Sequence, residues 1–331
     1  MKKFMNGAET LAQDCLEGFV AAHGDIVLFG EGKKHVRRRV LTPGKVTIIS
    51  GGGAGHEPMH TGFVGHGMLD AACTGHVFTS PTPDQILGAI RETATGAGTL
   101  LIVKNYDGDV MNFEMAAEMA MAGGAHRIET IIVNDDIAVE RSARGTGRRG
   151  VAGTLVVEKI VGAAAQGGAD LQELKALGDA VVAATRTMGV ALKGTTVPQT
   201  SRETFVLGPN EMEIGVGIHG EPGRARDQIK DASAIVDLIC GHILEDYGSL
   251  AGQSVLLFVN GLGGTPLSEL YLVFGLAQTF FEGQGATVVR SLVGTYVTSL
   301  DMAGVSITVT VLSDHLRGLW DAPVLTASLR W

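Results

Sequence analysis

Cysteine and aromatic residues are scarce in this sequence. Its 331 residues include three cysteines, Cys15, Cys73 and Cys240, and aromatic side chains make up 5% of the chain. The cysteines form neither a C-x-x-C pair nor a spacing typical of metal ligands, which argues against a disulfide framework and a cysteine-based metal site. An odd, sparse set of thiols is typical of a reducing compartment, so we expect a cytoplasmic protein.

The chain also has no long apolar run and no surplus of basic residues. No uncharged apolar stretch reaches about 18 residues, which argues against a membrane-spanning helix. Acidic residues outnumber basic ones by 35 to 26, and this balance argues against nonspecific binding to nucleic acid or to an anionic membrane. Near the N-terminus, apolar residues recur at helical spacing and predict an amphipathic helix rather than a signal peptide. They are Leu11, Cys15, Phe19 and Val20.

The apolar residues that are present follow an alternating strand and helix pattern. Apolar, β-branched runs predict strands at 45–50, 98–105, 127–135, 253–260 and 286–294. Helical patterns occupy 83–95, 110–122, 152–167, 171–188, 228–247 and 266–284. This alternation predicts an α/β fold with parallel or mixed sheets covered by helices. The length favours two α/β domains over the alternative of one large domain.

A domain boundary is predicted near residue 189. The stretch 189–208, "GVALKGTTVPQTSRETFVLG", loses the helical period and carries a proline and several hydroxyl residues. We therefore expect an N-terminal α/β domain at 1–188, which holds a glycine-rich stretch, Lys104 and Asp109. The C-terminal α/β domain at 189–331 then carries His219.

The glycine-rich stretch "SGGGAGHEP" at 50–58 follows a predicted strand. His56 replaces the sixth-position glycine of a dinucleotide fingerprint, and no lysine follows as a Walker A loop requires. Both differences argue against an α/β nucleotide-binding protein. Two other interpretations remain open: the glycines expose backbone N–H groups to an oxygen-rich ligand, or they form a tight turn in which Pro58 opens a helix.

Three further motifs carry candidate functional side chains. Lys104 and Asp109 end a strand in "VKNYDGD", where Asp109 is alternatively the N-cap of a helix beginning near residue 110. His219 lies in "GVGIHGEPG" and is either structural or a nucleophile toward a carbonyl group. Arg148 and Arg149 in "GTGRRGVAGT" indicate either a solvated turn or a contact for phosphate or an acidic partner.

Taken in order, these motifs resemble the dihydroxyacetone kinase family. The resemblance is to its substrate-binding K subunit, and it rests on "ISGGGAGHEPMHTGF", "FTSPTPDQI", "IVKNYDGDVMNFEMA", "GRRGVAGT", "NEMEIGVGIHGEPG", "NGLGGTPLSELY" and "TSLDMAGVSITV". It extends to "LWDAPVLTASLRW" and implies two α/β domains, a homodimer and no cofactor on this chain. The phosphoryl donor is expected on a nucleotide-binding L subunit, a separate polypeptide that holds ADP or ATP with magnesium.

The resemblance also implies roles for individual residues. It implies that His219 binds dihydroxyacetone, or a similar small ketose, as a covalent hemiaminal. The expected substrate-binding residues are Gly53, Ala54, Gly55, His56, Lys104 and Asp109. His56 and Asp109 are then the candidate bases for the attacking hydroxyl, and both are catalytic residues together with His219.

Several positions depart from the family's common pattern and leave the substrate open. Ala54 stands where serine is frequent, Asp107 where a small hydroxyl residue is frequent, and Thr74 and His76 where proline and glutamate are frequent. The four-carbon ketose erythrulose therefore remains an alternative to dihydroxyacetone. A non-catalytic, ketose-sensing coactivator is a further alternative, although the presence of His56, Lys104 and Asp109 together favours a kinase. The sequence leaves open whether the donor is ATP or a phosphotransferase-system phosphoprotein.

Overall fold

A computed structural model describes residues 2–122, 124, 126–139, 147–221 and 223–331. Within these residues the chain forms eight α-helices and two six-stranded sheets. The helices are α1 (Leu11–Ala22), α2 (Pro83–Glu92), α3 (Asp107–Met121), α4 (Gly153–Gln166), α5 (Leu171–Ala183), α6 (Ala232–Tyr247), α7 (Leu267–Gly283) and α8 (Asp314–Asp321). The strands are β1 (Val27–Phe29), β2 (Val36–Arg38), β3 (Thr47–Ala54), β4 (Gly65–His66), β5 (Ala71–Val77), β6 (Thr99–Lys104), β7 (Ile128–Val133), β8 (Thr185–Lys193), β9 (Thr196–Val197), β10 (Arg202–Glu203), β11 (Glu211–Ile214), β12 (Ala225–Gln228), β13 (Ser254–Gly261), β14 (Thr287–Gly294), β15 (Ala303–Val311) and β16 (Leu325–Thr326).

The chain folds into two compact units. The first comprises Met1–Val133, Thr154–Val181 and Gly318–Trp331, and the second comprises Asn134–Gly153 and Val182–Arg317. The units are thus interleaved along the sequence, whereas we expected one division between residues 188 and 189. Residue 189 lies inside β8, so a cut there would divide a strand of the second sheet.

The first unit contains a mixed sheet in the order β1-β2-β5-β3-β6-β7. Strand β3 runs parallel to β5 and β6, and β6 runs parallel to β7, while β2 pairs antiparallel with β1 and β5. Apolar side chains of β3 and β6 pack against α2 and α3, with Ile49, Leu101, Ile90 and Phe113 in one buried cluster. Because β3 and β6 are parallel neighbours, the segments after them leave the same edge of the sheet.

The second unit contains a mostly antiparallel sheet in the order β12-β11-β8-β15-β13-β14. Only β13 and β14 pair in parallel. The inward faces of α6 and α7 pack on this sheet, and Ile239, Phe281, Leu257 and Ile307 belong to its buried core. Both units therefore show the expected α/β class, in which a mixed sheet is covered by helices, and that prediction is confirmed.

The five predicted strands are present as β3, β6, β7, β13 and β14, and the six helical patterns correspond to α2–α7. The predicted helix at 171–188 is too long, since α5 ends at Ala183 and β8 begins at Thr185. Strand β8 lies between β11 and β15 and is buried along most of its length, so it lacks the alternating pattern that marks a half-exposed strand. No helix among the described residues has both the length and the apolarity needed to cross a membrane.

Candidate functional site

The three consecutive glycines lie within a strand, not in a turn after it. Strand β3 continues through Gly51, Gly52 and Gly53 to Ala54. A Cβ atom on Gly51 would overlap the carbonyl oxygen of Cys73, and one on Gly53 would overlap the backbone at Phe78 and Thr79. A Cβ atom on Gly52 would overlap Nζ of Lys104. The space left by these glycines is therefore filled by protein atoms.

His56 follows the strand and is fully buried. Its ring stacks on Phe78, with centroids 5.2 Å apart and an interplanar angle of 26°. Gly55 has a φ of 99°, which favours glycine, and its N–H donates to both carboxylate oxygens of Glu57, at 3.1 and 3.0 Å. Burial raises the pKa of Glu57 despite these hydrogen bonds. Residue 58 does not open an α-helix, because the turn continues into a short 3-10 segment at Thr61–Phe63.

Lys104 and Asp109 form a buried ion pair beside this stretch. Lys104 is the last residue of β6 and is 0% exposed, and its Nζ donates to Asp109 Oδ2 at 3.0 Å and to the Gly51 carbonyl at 3.1 Å. Helix α3 begins at Asp107 with Tyr106 at the N-cap position, so Asp109 lies in the first turn and is not the cap. The N-cap interpretation of Asp109 is wrong.

His60 and Glu158, which were not among the predicted site residues, lie close to Lys104 in the structure. Nζ of Lys104 lies 3.3 Å from Nε2 of His60, and Nδ1 of His60 lies 2.5 Å from Oε1 of Glu158. Nδ1 also lies 3.1 Å from Oγ of Ser50, which donates to the Ile102 carbonyl. Since an ammonium group has three N–H donors, Asp109, Gly51 and His60 together match all of them.

The charge states of His60 and Glu158 follow from their burial. Burial, and then the charge of Lys104, lowers the pKa of His60 well below its usual value, so the ring is neutral. Because Nε2 accepts from Lys104, the ring proton lies on Nδ1 and points at Glu158. Burial raises the pKa of Glu158 to about 8, against the opposing effects of Ser50 and Lys104. The sequence does offer one signal, because Glu158 and Lys159 are charged residues inside the apolar helix α4.

His219 belongs to the other compact unit. It lies in the connection between β11 and β12, is half-buried, and its backbone N–H donates to Oε2 of Glu221 at 2.9 Å. Gly215 and Gly220 have φ angles of 76° and 73°, which explains two glycines of the motif. Pro222 of the same motif lies outside the described residues. The structure therefore groups Gly53, Ala54, Gly55, His56, Lys104 and Asp109 in one unit and places His219 in the second.

The two adjacent arginines are not on a solvated turn. The Arg148 guanidinium pairs with both carboxylate oxygens of Asp246, and Arg149 pairs with Asp136 at 2.6 Å. Their side chains are 10% and 12% exposed. The interpretation as a solvated turn is wrong, and both guanidinium groups have carboxylate partners within the protein. Gly145 and Thr146, at the start of this motif, lie outside the described residues.

The positions that depart from the family pattern differ in accessibility. Ala54 is buried at the end of β3, Thr74 in β5 is half-buried, and His76 in β5 and Asp107 at the start of α3 are exposed. Relative to the family pattern, Ala54 therefore alters the buried part of the glycine-rich stretch, whereas His76 and Asp107 alter the charge of the surface near it.

Comparison with known proteins agrees with the resemblance. The family model described as "Dak1 domain" matches residues 17–328. A protein of Listeria innocua named "PTS-dependent dihydroxyacetone kinase 1, dihydroxyacetone-binding subunit DhaK" is 51% identical over 315 residues, covering 95% of each chain. This chain belongs to the Dak1 domain family, and the predicted family relationship is confirmed.

Two solved structures are similar over nearly the whole chain. The "Dihydroxyacetone kinase operon co-activator Dha-DhaQ" has a TM-score of 0.90 and 33% identity, covering 95% of this chain and 97% of its own. The dihydroxyacetone kinase of C. freundii in complex with AMP-PNP and Mg2+ has a TM-score of 0.87 and 34% identity. The match covers 99% of this chain but 61% of the C. freundii chain.

Proposed function

We propose that this chain is the ketose-binding subunit of a dihydroxyacetone kinase. The observation that carries the proposal is the 51% identity, over 95% of both chains, to a protein named as a dihydroxyacetone-binding kinase subunit. The buried Lys104–Asp109 pair, and His219 in its glycine-rich segment, are the side chains that we assign to this function. Dihydroxyacetone is the proposed substrate, and erythrulose or another small ketose is the alternative.

The proposed role of His219 is covalent capture of the ketose. An unprotonated imidazole nitrogen adds to the ketone carbon and forms a C–N bond, while the π electrons of the carbonyl move to its oxygen. The oxygen gains a proton and the imidazole loses its N–H proton, so the hemiaminal contains the whole ketose and no water is released. Fixing a small, flexible substrate in this way lowers the entropic part of the barrier to transfer.

A second group of residues is proposed to supply the base for transfer. The hydroxyl that attacks phosphorus must lose its proton, and Asp109 and His56 are the candidate acceptors. Gly53, Ala54, Gly55 and Lys104 are proposed to contact the substrate oxygens. The three N–H groups of Lys104 already face protein acceptors, so a ketose oxygen binds this ammonium only by replacing one of them.

The phosphoryl donor is proposed to lie on a separate nucleotide-binding L subunit, with ADP or ATP and magnesium. The C. freundii kinase, whose structure holds AMP-PNP and Mg2+, is longer than this chain, which is consistent with a nucleotide site outside the shared part. The name of the Listeria innocua relative favours a phosphotransferase-system donor over free ATP. We further propose a cytoplasmic homodimer that binds neither nucleic acid nor membrane.

A ketose-sensing coactivator is the second candidate, and the 0.90 TM-score to a co-activator structure is the observation in its favour. Both candidates bind the ketose, but only the kinase transfers a phosphoryl group. The test is an assay of the chain with its L subunit, using either ATP or phosphoenolpyruvate with the phosphotransferase proteins, and a panel of dihydroxyacetone, erythrulose enantiomers and glyceraldehyde. Formation of a ketose phosphate supports the kinase, and ketose binding without transfer from either donor overturns it.

A further inference from the structure

The connection that carries His219 is fixed at its base. The segment 215–224, of which residues 215–221, 223 and 224 are described, joins β11 to β12, and the Arg224 N–H donates to the Ile214 carbonyl at 2.7 Å. The Gly215 N–H donates to the Gly189 carbonyl of β8, also at 2.7 Å. These two bonds hold the ends of the segment. His219 lies between them, so its position also depends on contacts within the segment.

Glu221 contacts the backbone of His219. Its Oε2 accepts the backbone N–H of His219 at 2.9 Å, and its Oε1 lies 3.3 Å from Nη1 of Arg149. A Cβ atom on Gly217 would overlap both Oε1 of Glu221 and Nη1 of Arg149. The second glycine of "GVGIHG" is therefore required for the approach of this ion pair, and the carboxylate connects the His219 backbone to a guanidinium group.

Arg149 in turn is anchored on the sheet. Its Nη2 donates to the Gly215 carbonyl at 2.8 Å, and its Nε and Nη2 lie 2.7 and 2.6 Å from Oδ2 of Asp136. Asp136 is 1% exposed, accepts the N–H of Ala138 at 2.9 Å, and forms a bridge with Thr187 of β8. Burial raises the pKa of Asp136 to about 6, against the opposing charge of Arg149. A planar guanidinium can serve several fixed acceptors at once, which an ammonium cannot do in the same geometry.

We infer that Arg149 and Glu221 are positioning residues that hold the His219 segment in the conformation needed for addition to a ketone carbon. A series of contacts runs from β8 through Asp136, Arg149 and Glu221 to the His219 backbone. The inference rests on the proposed function, since it assigns these residues to the covalent step on His219. Neither residue is given a chemical role in that step.

The test compares Arg149→Lys, which keeps the charge but loses the planar fork, and Glu221→Gln, which keeps the shape but loses the charge. Arg148→Lys is the matched control, because its partner Asp246 lies away from the 215–224 segment in sequence and accepts from Arg148 and Arg186. Thermal unfolding of each protein establishes that it folds. Two quantities are then measured: the rate of dihydroxyacetone adduct formation by native mass spectrometry, and hydrogen exchange of the His219 amide.

The expected result is an adduct rate lowered by about tenfold to a hundredfold in Arg149→Lys and Glu221→Gln, since small misplacements of a reacting group cost that much. The His219 amide should exchange faster in both, and Arg148→Lys should match the wild type in both measurements. Wild-type adduct rates and wild-type exchange in the two variants would overturn the inference. If the wild type forms no adduct, the covalent proposal fails, and exchange of the His219 amide still decides whether Arg149 and Glu221 hold the segment.

Discussion

Nδ1 of His60 lies 2.5 Å from Oε1 of Glu158, and both side chains are almost completely buried. The opposite ring nitrogen of His60 faces the ammonium of Lys104, which is paired with Asp109. The candidate base Asp109 is therefore connected, through the buried side chains of Lys104 and His60, to the carboxyl group of Glu158 on α4. A buried network that loses one hydrogen-bonding partner lowers the free energy of unfolding. Substitution of Glu158 should therefore change the stability of the protein by a measurable amount.

Glu158→Gln should change how stability depends on pH. Burial raises the pKa of Glu158 to about 8, so between its unfolded pKa and about pH 8 the folded protein binds the proton that the unfolded chain releases. The contribution of Glu158 is present at low pH and is lost as the pH rises toward 8, by on the order of 1 kcal/mol per pH unit.

Thermal unfolding of wild type and Glu158→Gln between pH 5 and pH 8 checks this sign. Glutamine mimics the neutral acid, so the stability of the variant relative to wild type should increase with pH. A difference between the two proteins that stays constant from pH 5 to pH 8 would contradict the raised pKa.

Gly52→Ala should destabilise the protein and weaken ketose binding. The added methyl group would overlap Nζ of Lys104, and a shift of Nζ would weaken its contacts with Asp109 and His60. Overpacking of this kind costs about 1–3 kcal/mol. Gly241→Ala is the matched control, because this helical glycine in α6 has open space at its Cβ position. The melting temperature should fall in Gly52→Ala and should not fall in Gly241→Ala. A melting temperature of Gly52→Ala equal to that of the wild type would show that Lys104 moves aside without loss of stability.

Asp109→Asn should separate binding from transfer. The amide keeps the size of the side chain but removes the proton acceptor, so adduct formation should persist while turnover with the L subunit falls by about 100-fold or more. Mass spectrometry measures the adduct, and the coupled kinase assay measures turnover. Turnover close to that of the wild type would remove Asp109 from the proposed mechanism.

Sequence patterns predicted the elements that carry the candidate site and missed much of what supports it. The apolar runs of β3 and β6 predicted two strands of a parallel or mixed sheet, and the structure pairs them as parallel neighbours. The contact between His60 and Glu158 joins positions 98 residues apart, and the spacing of apolar residues along the sequence does not predict such a contact. The predicted helix at 171–188 includes the start of β8, because a strand buried on both faces lacks the alternation that marks a half-exposed strand. The roles of His219, Lys104 and Asp109 came from the family resemblance, not from spacing.

Treatment of the wild-type chain and its His219→Ala variant with dihydroxyacetone, followed by native mass spectrometry, tests the central proposal most directly. The wild type should gain the full mass of one dihydroxyacetone molecule per chain without loss of water, and peptide mapping should place it on His219. The variant should gain nothing. An adduct of equal size and yield in His219→Ala, or no adduct on the wild type, would contradict covalent capture by His219.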